Sequence, residues 1–104
     1  MNEKLKEANL DLLYDAVLCL ETREECKSFF KDLCTYLELK SLSQRLQVAK
    51  MLSEKHVYSD IVDETGASTA TISRVNRTIN YDSAGGYDIV FRRLEEKESG
   101  KANG

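Results

Sequence analysis

The chain of 104 residues contains no proline, and Gly66 is its only glycine before residue 85. Proline removes a backbone N–H donor and breaks helices, so no position in this chain forces a helix to end. With a single internal glycine in the first 84 residues, the remaining turns there must be made by capping side chains. This distribution predicts an all-α fold.

Apolar residues that recur at three- and four-residue steps predict two long helices in the first third of the chain. The first is predicted over residues 4–20. Thr22 and Glu25 have the spacing of a capping box and open the second helix. Its apolar side comprises Cys26, Phe29, Phe30, Leu33, Cys34 and Leu37. We interpret both apolar stripes as core, although they are wide for a monomer, which favours burial against a partner subunit.

Four more helices are predicted in the rest of the chain. Ser41 with Gln44 repeats the capping-box spacing and opens a third helix. Short helices follow at about residues 59–65 and 69–80, and a last one begins after Gly85-Gly86. We take the tyrosines at the two ends of that glycine connector, Tyr81 and Tyr87, as packing residues. Residues 1–98 are predicted to form one domain, followed by a disordered tail over residues 99–104.

Composition narrows the class of protein. The chain has 15 basic and 18 acidic residues, for a net charge of −3, and no apolar run long enough to cross a bilayer. Its three cysteines form no CxxC pair, and His56 is the only histidine. We therefore expect a soluble, cytoplasmic protein without a secretory signal, a membrane span or a metal site, and with its thiols reduced.

The most informative segment, residues 58–77, has the pattern of a helix-turn-helix. Two short helices that meet at a steep angle need an apolar residue on the first, a glycine at the turn and two apolar residues three apart on the second. Ile61, Gly66, Ile72 and Val75 stand at these positions, and Ser68 is suited to cap the second helix. An ordinary αα-corner is the alternative, but it would not require the acid-free, hydroxyl-rich helix start that follows.

Small and hydroxyl side chains at the start of the second helix suit the floor of the DNA major groove, and the arginines that follow suit phosphates. The predicted DNA-binding residues are Ser59, Ser68, Thr69, Ala70, Thr71, Ser73, Arg74, Asn76 and Arg77.

Two blocks of residues resemble the Trp repressor superfamily, and more closely its small YerC/YecD-like branch. One is Ser41-Leu42-Ser43-Gln44-Arg45-Leu46, and the other runs from Glu64 to Arg74 with the sequence ETGASTATISR. The resemblance implies a six-helix fold with a helix-turn-helix. It also implies a homodimer that interlaces its terminal helices and reads double-stranded DNA at a palindromic operator.

The resemblance also implies residues for a small-molecule co-repressor. Arg45 and Arg74 match the two arginines that enclose the ligand in this family. Thr35 matches a family threonine near the dimer boundary, and Thr78 stands where the family has a serine that helps to hold the ligand's ammonium group. Val75 stands where the family has a glycine that leaves room for the ligand, so we do not expect tryptophan to fit. Arg74 could instead bind phosphate or pair with Glu64, and Arg45 could form a surface or interface salt bridge.

These observations predict a sequence-specific transcriptional regulator. We expect a repressor acting by promoter occlusion, because the chain offers no second domain to recruit polymerase. The alternative is a helical protein-interaction module without sequence-specific DNA binding, which the acidic net charge favours. We do not expect an enzyme, because the sequence has no evident pair of catalytic carboxylates, no glycine-rich phosphate loop and only one histidine.

Overall fold

The computed structural model describes the backbone of residues 6–103 and the side chains of residues 6–100. Within that range it contains six helices and no strand: α1 (Glu7–Leu18), α2 (Arg23–Leu33), α3 (Tyr36–Ser53), α4 (Tyr58–Thr65), α5 (Thr69–Asn80) and α6 (Gly86–Asn103). The predicted all-α, six-helix fold is confirmed. The chain divides into two compact units, with the boundary between Leu39 and Lys40 inside α3. Residues 4 and 5, predicted to begin the first helix, lie outside the described residues.

The first unit contains α1, α2 and the start of α3. The Thr22 capping box is confirmed, because its Oγ1 accepts from the Glu25 N–H at 3.1 Å and Glu25 Oε1 accepts from the Glu21 N–H at 2.8 Å. No residue of α1 or α2 is buried, and Leu12 and Leu18 are 70% and 80% exposed. The expectation that these two stripes form core is therefore wrong for the single chain.

Helix α3 begins earlier than predicted. Thr35 Oγ1 accepts from the Glu38 N–H at 3.1 Å, while the Thr35 N–H donates to Glu38 Oε1 at 2.8 Å. The backbone bond from Thr35 and then its side-chain bond hold the pKa of Glu38 below its ordinary 4.5. Ser41 lies inside the helix and accepts from Arg45 Nη1 at 3.1 Å. The carboxylate of Glu38 makes a charge-assisted bond that the amide of Gln44 could not match.

This earlier start also places Leu37 on α3 rather than on the apolar side of α2, where the sequence put it. Helix α2 instead ends at Leu33, since Cys34 has extended backbone angles.

The second unit holds the buried core. Its fully or nearly fully buried residues come from α3, α4, the turn before α5 and α5 itself: Val48, Ala49, Ile61, Ala67, Ile72 and Val75. Tyr87 and Phe91 of α6 pack against this cluster and stack on each other with ring centroids 5.8 Å apart. Tyr87 is therefore a packing residue, as predicted. The second half of α3 thus packs against both α4 and α5.

The last helix differs from the prediction at its end. α6 continues to Asn103, whereas the sequence predicts a disordered tail from residue 99; Gly104 lies outside the described residues. A run of good helix formers, Glu95 to Glu98, leads into this segment, and an internal glycine such as Gly100 weakens a helix by about 1 kcal/mol without ending it. Among the described residues, no helix is long and apolar enough to span a membrane, and no three metal-ligating side chains lie together.

The turn between α4 and α5 is closed by three local hydrogen bonds. Gly66 has φ 71°, and its N–H donates to the Val62 carbonyl at 2.9 Å. Thr65 Oγ1 donates to the Ile61 carbonyl at 2.7 Å and accepts from the Ala67 N–H at 3.1 Å. The left-handed angle favours glycine because it has no Cβ. The predicted glycine turn is confirmed, and it directs the chain into α5 within three residues.

We expect Gly66→Ala to lower the free energy of unfolding by about 1–2 kcal/mol, because a Cβ is strained at this φ. Gly86→Ala is the matched control, since no atom lies within 4 Å of a Cβ built there and its φ is not left-handed. That variant should be neutral or slightly stabilising. Urea denaturation of both proteins checks this, and equal midpoints would show that the turn does not depend on the left-handed glycine.

Candidate nucleic-acid interface

Helix α5 begins at a side-chain cap and carries no acid in its first turn. Ser68 Oγ accepts from the Thr71 N–H at 3.1 Å and donates to Thr71 Oγ1 at the same distance. The predicted role of Ser68 as N-cap is confirmed. Because only one N–H of the first turn is used by this cap, the remaining donors and the positive end of the helix dipole can receive an anion.

The side chains of α5 divide into three faces, as expected for a helix that turns about 100° per residue. Ile72, Val75 and Ile79 face the core. A second set, which we call the outer face, comprises the exposed residues Thr69, Ala70, Ser73 and Arg77. Thr71, Arg74 and Thr78 form the third face and line a pocket. The predicted DNA-binding residues of α5 therefore lie on the outer and third faces, except Asn76, which is half-buried between the outer face and the core face.

The outer face continues into a hollow of about 570 Å³ lined by Tyr58, Ser73, Asn76, Arg77, Tyr81 and Asp82. Arg77 Nε lies 3.9 Å from Asp82 Oδ2, and both side chains are largely exposed. The amide oxygen of Asn76 accepts from Asn80 Nδ2 at 2.8 Å. Tyr81 is 81% exposed, so the prediction that it packs was wrong. Ser59, predicted to bind DNA, is an exposed residue in the first turn of α4.

The pocket on the third face has a volume of about 350 Å³ and is lined by Ser41, Gln44, Arg45, Thr71, Arg74, Val75, Thr78 and Tyr87. Three of the four predicted effector residues therefore meet there. Thr35 is not part of the lining and caps α3 instead. Thr78 Oγ1 donates to the Arg74 carbonyl at 3.2 Å. Val75 is only 4% exposed and forms both pocket wall and core.

Both arginines of this pocket lack an ion-pair partner among the described residues. The alternative pairing of Arg74 with Glu64 does not occur, and Arg45 bonds only to the Ser41 hydroxyl. The pocket therefore presents two guanidinium groups that no carboxylate neutralises.

Sequence reasoning missed three residues of this region. Gln44 was interpreted as a capping residue, but its Nε2 donates to the Thr65 carbonyl at the end of α4, 3.1 Å away. Tyr58 and Tyr81 border the hollow beside Arg77. The exposure of the tyrosines could have been suspected from their positions at helix ends. The contact of Gln44 had no local signal, because its partner is 21 positions away.

Comparison with known proteins agrees with this architecture. The family model of the Trp repressor protein matches residues 8–95. YerC of Bacillus subtilis (strain 168), an uncharacterized protein, is 50% identical over 97 residues, which cover 93% of this chain and 92% of YerC. A Staphylococcus aureus crystal structure, provisionally described as a Trp repressor, is 54% identical with a TM-score of 0.83 and covers 89% of this chain and 92% of its own. A TrpR-like protein from Eubacterium eligens ATCC 27750 has the same identity and TM-score, over 90% and 96% of the two chains. The chain belongs to the Trp repressor superfamily, in its YerC-like branch.

Proposed function

We propose that this chain is a transcriptional regulator that binds double-stranded DNA as a homodimer and represses by occupying a palindromic operator. The observation that carries the proposal is the outer face of α5. Thr69, Ala70 and Ser73 are exposed at the start of a helix whose opposite side is anchored in the core by Ile72 and Val75. A rigid helix with a low-profile, acid-free start suits insertion into the major groove.

The chemistry of the outer face suits both phosphates and base edges. The Thr69 and Ser73 hydroxyls can bond either, and the Ala70 methyl can contact a thymine methyl. Arg77 is held by Asp82 only through an exposed pair at 3.9 Å, and such pairs contribute little stability. A phosphate can therefore displace Asp82 and take the guanidinium.

A homodimer is supported by the apolar surface of the first unit. Its exposed large apolar residues are Leu12, Leu13, Tyr14, Val17, Leu18, Leu33, Tyr36 and Leu37. Soluble proteins rarely leave so many large apolar side chains exposed within one segment, so such a surface marks an interface. We propose that a second copy of this chain covers it. Two-fold symmetry would then present two α5 helices to half-sites about 34–36 Å apart.

A protein-interaction module is the alternative function, and the net charge of −3 favours it. The two functions differ in their response to salt. DNA binding releases counterions and weakens steeply as salt is added, in proportion to the number of phosphates contacted.

We expect duplexes selected from a random pool to share a two-fold symmetric site. Arg77→Ala should weaken binding to all duplexes and reduce the slope of log affinity against log salt by about 1, because one phosphate contact is lost. Thr69→Ala should instead change which sequence is preferred. Arg92→Ala is the control, since it removes the same charge from α6, where Arg92 pairs with Asp88. If the selection yields no shared site and Arg77→Ala behaves like the control, the interaction module is the better proposal.

The dimer has its own test. Leu12→Glu and Leu18→Glu place a charge on the exposed apolar surface of α1 and should lower the mass measured by light scattering at micromolar concentration from two chains towards one. Asn9→Glu adds the same charge at an exposed polar position of α1 and should leave the mass unchanged. A wild-type protein that already has the mass of one chain would contradict the dimer.

We also propose that the pocket beside Arg45 and Arg74 can hold a small-molecule effector, since its volume of about 350 Å³ lies in the range of ligand sites. Val75 in its wall should exclude tryptophan. The chain has no tryptophan, so added tryptophan is the only indole fluorophore in a titration, and we expect its emission to stay unchanged. N-acetyltryptophanamide, which lacks both charges, controls for non-specific effects. A saturable change with tryptophan alone would overturn the exclusion.

A further inference from the structure

One hydrogen bond links two helices that are far apart in sequence. Gln44 Nε2 on α3 donates to the Thr65 carbonyl at the end of α4, 3.1 Å away and partly buried. Among the described residues, every other hydrogen bond and ion pair joins groups no more than five positions apart. The buried residues that these helices contribute to the core are apolar.

The acceptor of this bond lies at the end of α4, immediately before the turn that leads into α5. The Thr65 carbonyl belongs to the last turn of α4, where carbonyls have no partner within the helix. A Cβ built on Gly66 would lie 4.0 Å from Gln44 Nε2, which shows how closely the amide approaches the turn. Ser68, the cap of α5, follows only three residues after Thr65.

Apolar packing alone leaves the direction of α5 poorly determined. The core under it consists of small or branched aliphatic side chains, and the hydrophobic effect that buries them is non-directional. Arg77 lies nine residues after Ser68, or about 14 Å along a helix axis. A tilt of about 10° at the turn would therefore move it by roughly 2 Å, which exceeds the tolerance of a hydrogen bond.

We propose that Gln44 is a positioning residue that fixes the turn at Gly66 to α3 and thereby sets the direction of α5 for DNA. The inference rests on the proposed function for its DNA readout, but the attachment of the turn can be measured without DNA. Gln44 also borders the pocket of Arg45 and Arg74, so a molecule bound there would contact the same amide.

Gln44→Glu tests the proposal, because it keeps the shape of the side chain and removes the N–H donor. At neutral pH its carboxylate would face the Thr65 carbonyl. We expect faster hydrogen exchange of the Gly66 and Ala67 amides, and DNA affinity weaker by roughly tenfold for all duplexes, as for the loss of one hydrogen bond. The thermal midpoint should stay close to that of the control described next.

Gln47→Glu is that control, since it makes the same charge change at an exposed position one turn along α3. Gln44→Lys restores a donor and should recover the slow exchange, with Gln47→Lys controlling for the added positive charge. Gln44→Asn, which is too short to reach the carbonyl, replaces Gln44→Glu if that variant fails to fold.

The proposal is overturned if exchange at Gly66 and Ala67 and DNA affinity are the same in Gln44→Glu and Gln47→Glu. It is also overturned if DNA affinity is lost only in variants whose thermal midpoint falls as well, because a general loss of stability would then explain both changes. A wild-type protein that binds no duplex would defeat the proposed function alone, since the exchange comparison still decides whether Gln44 holds the turn.

Discussion

The packing of Ile61, Ile72 and Val75 against Val48 and Ala49 is the interaction on which the second unit depends. Of the residues whose side chains the structure describes, all the buried ones lie between positions 48 and 75. Helices as short as the eight residues of α4 and the twelve of α5 are unstable alone in water. Full burial of each aliphatic side chain contributes about 1.5–3 kcal/mol, and this burial holds the two helices in place. Because one side of α5 supplies all of that anchoring, its outer face can carry small and polar side chains.

The features that could be predicted from the sequence are those that depend on residues close together in the chain. The left-handed Gly66, the Ser68 cap and the apolar spacing of Ile72 and Val75 each follow from residues within a few positions, and the structure confirms all of them. The start of α3 was predicted wrongly because Thr35-Glu38 and Ser41-Gln44 have the same spacing, and only the bonds show which pair caps the helix. The apolar stripes of α1 and α2 show a different limit. An apolar stripe predicts that a helix face is buried, but it does not show whether the same chain or a partner subunit buries that face.

The arginines of α5 show how helix geometry separates residues that the sequence groups together. Arg74 and Arg77 are three positions apart, which places them about 60° apart around the axis. That angle is enough to put Arg74 in the pocket with Arg45, and Arg77 in the hollow beside Asp82. The sequence assigned DNA contact to both. The structure places one guanidinium in a pocket whose lining contains no acid and the other in a hollow with an acid nearby.

The acidic net charge is compatible with a DNA-binding surface because electrostatic forces in salt solution are short-ranged. At an ionic strength of 0.1 M, exposed charges further than about 10 Å away are largely screened. Acids far from the bound phosphate therefore contribute little, and the first turn of α5 itself contains no acid. The helix dipole adds a fixed positive field there that no titration removes. Since this field points along α5, its contribution to binding depends on the direction of the helix, which in our proposal is set by the hydrogen bond from Gln44.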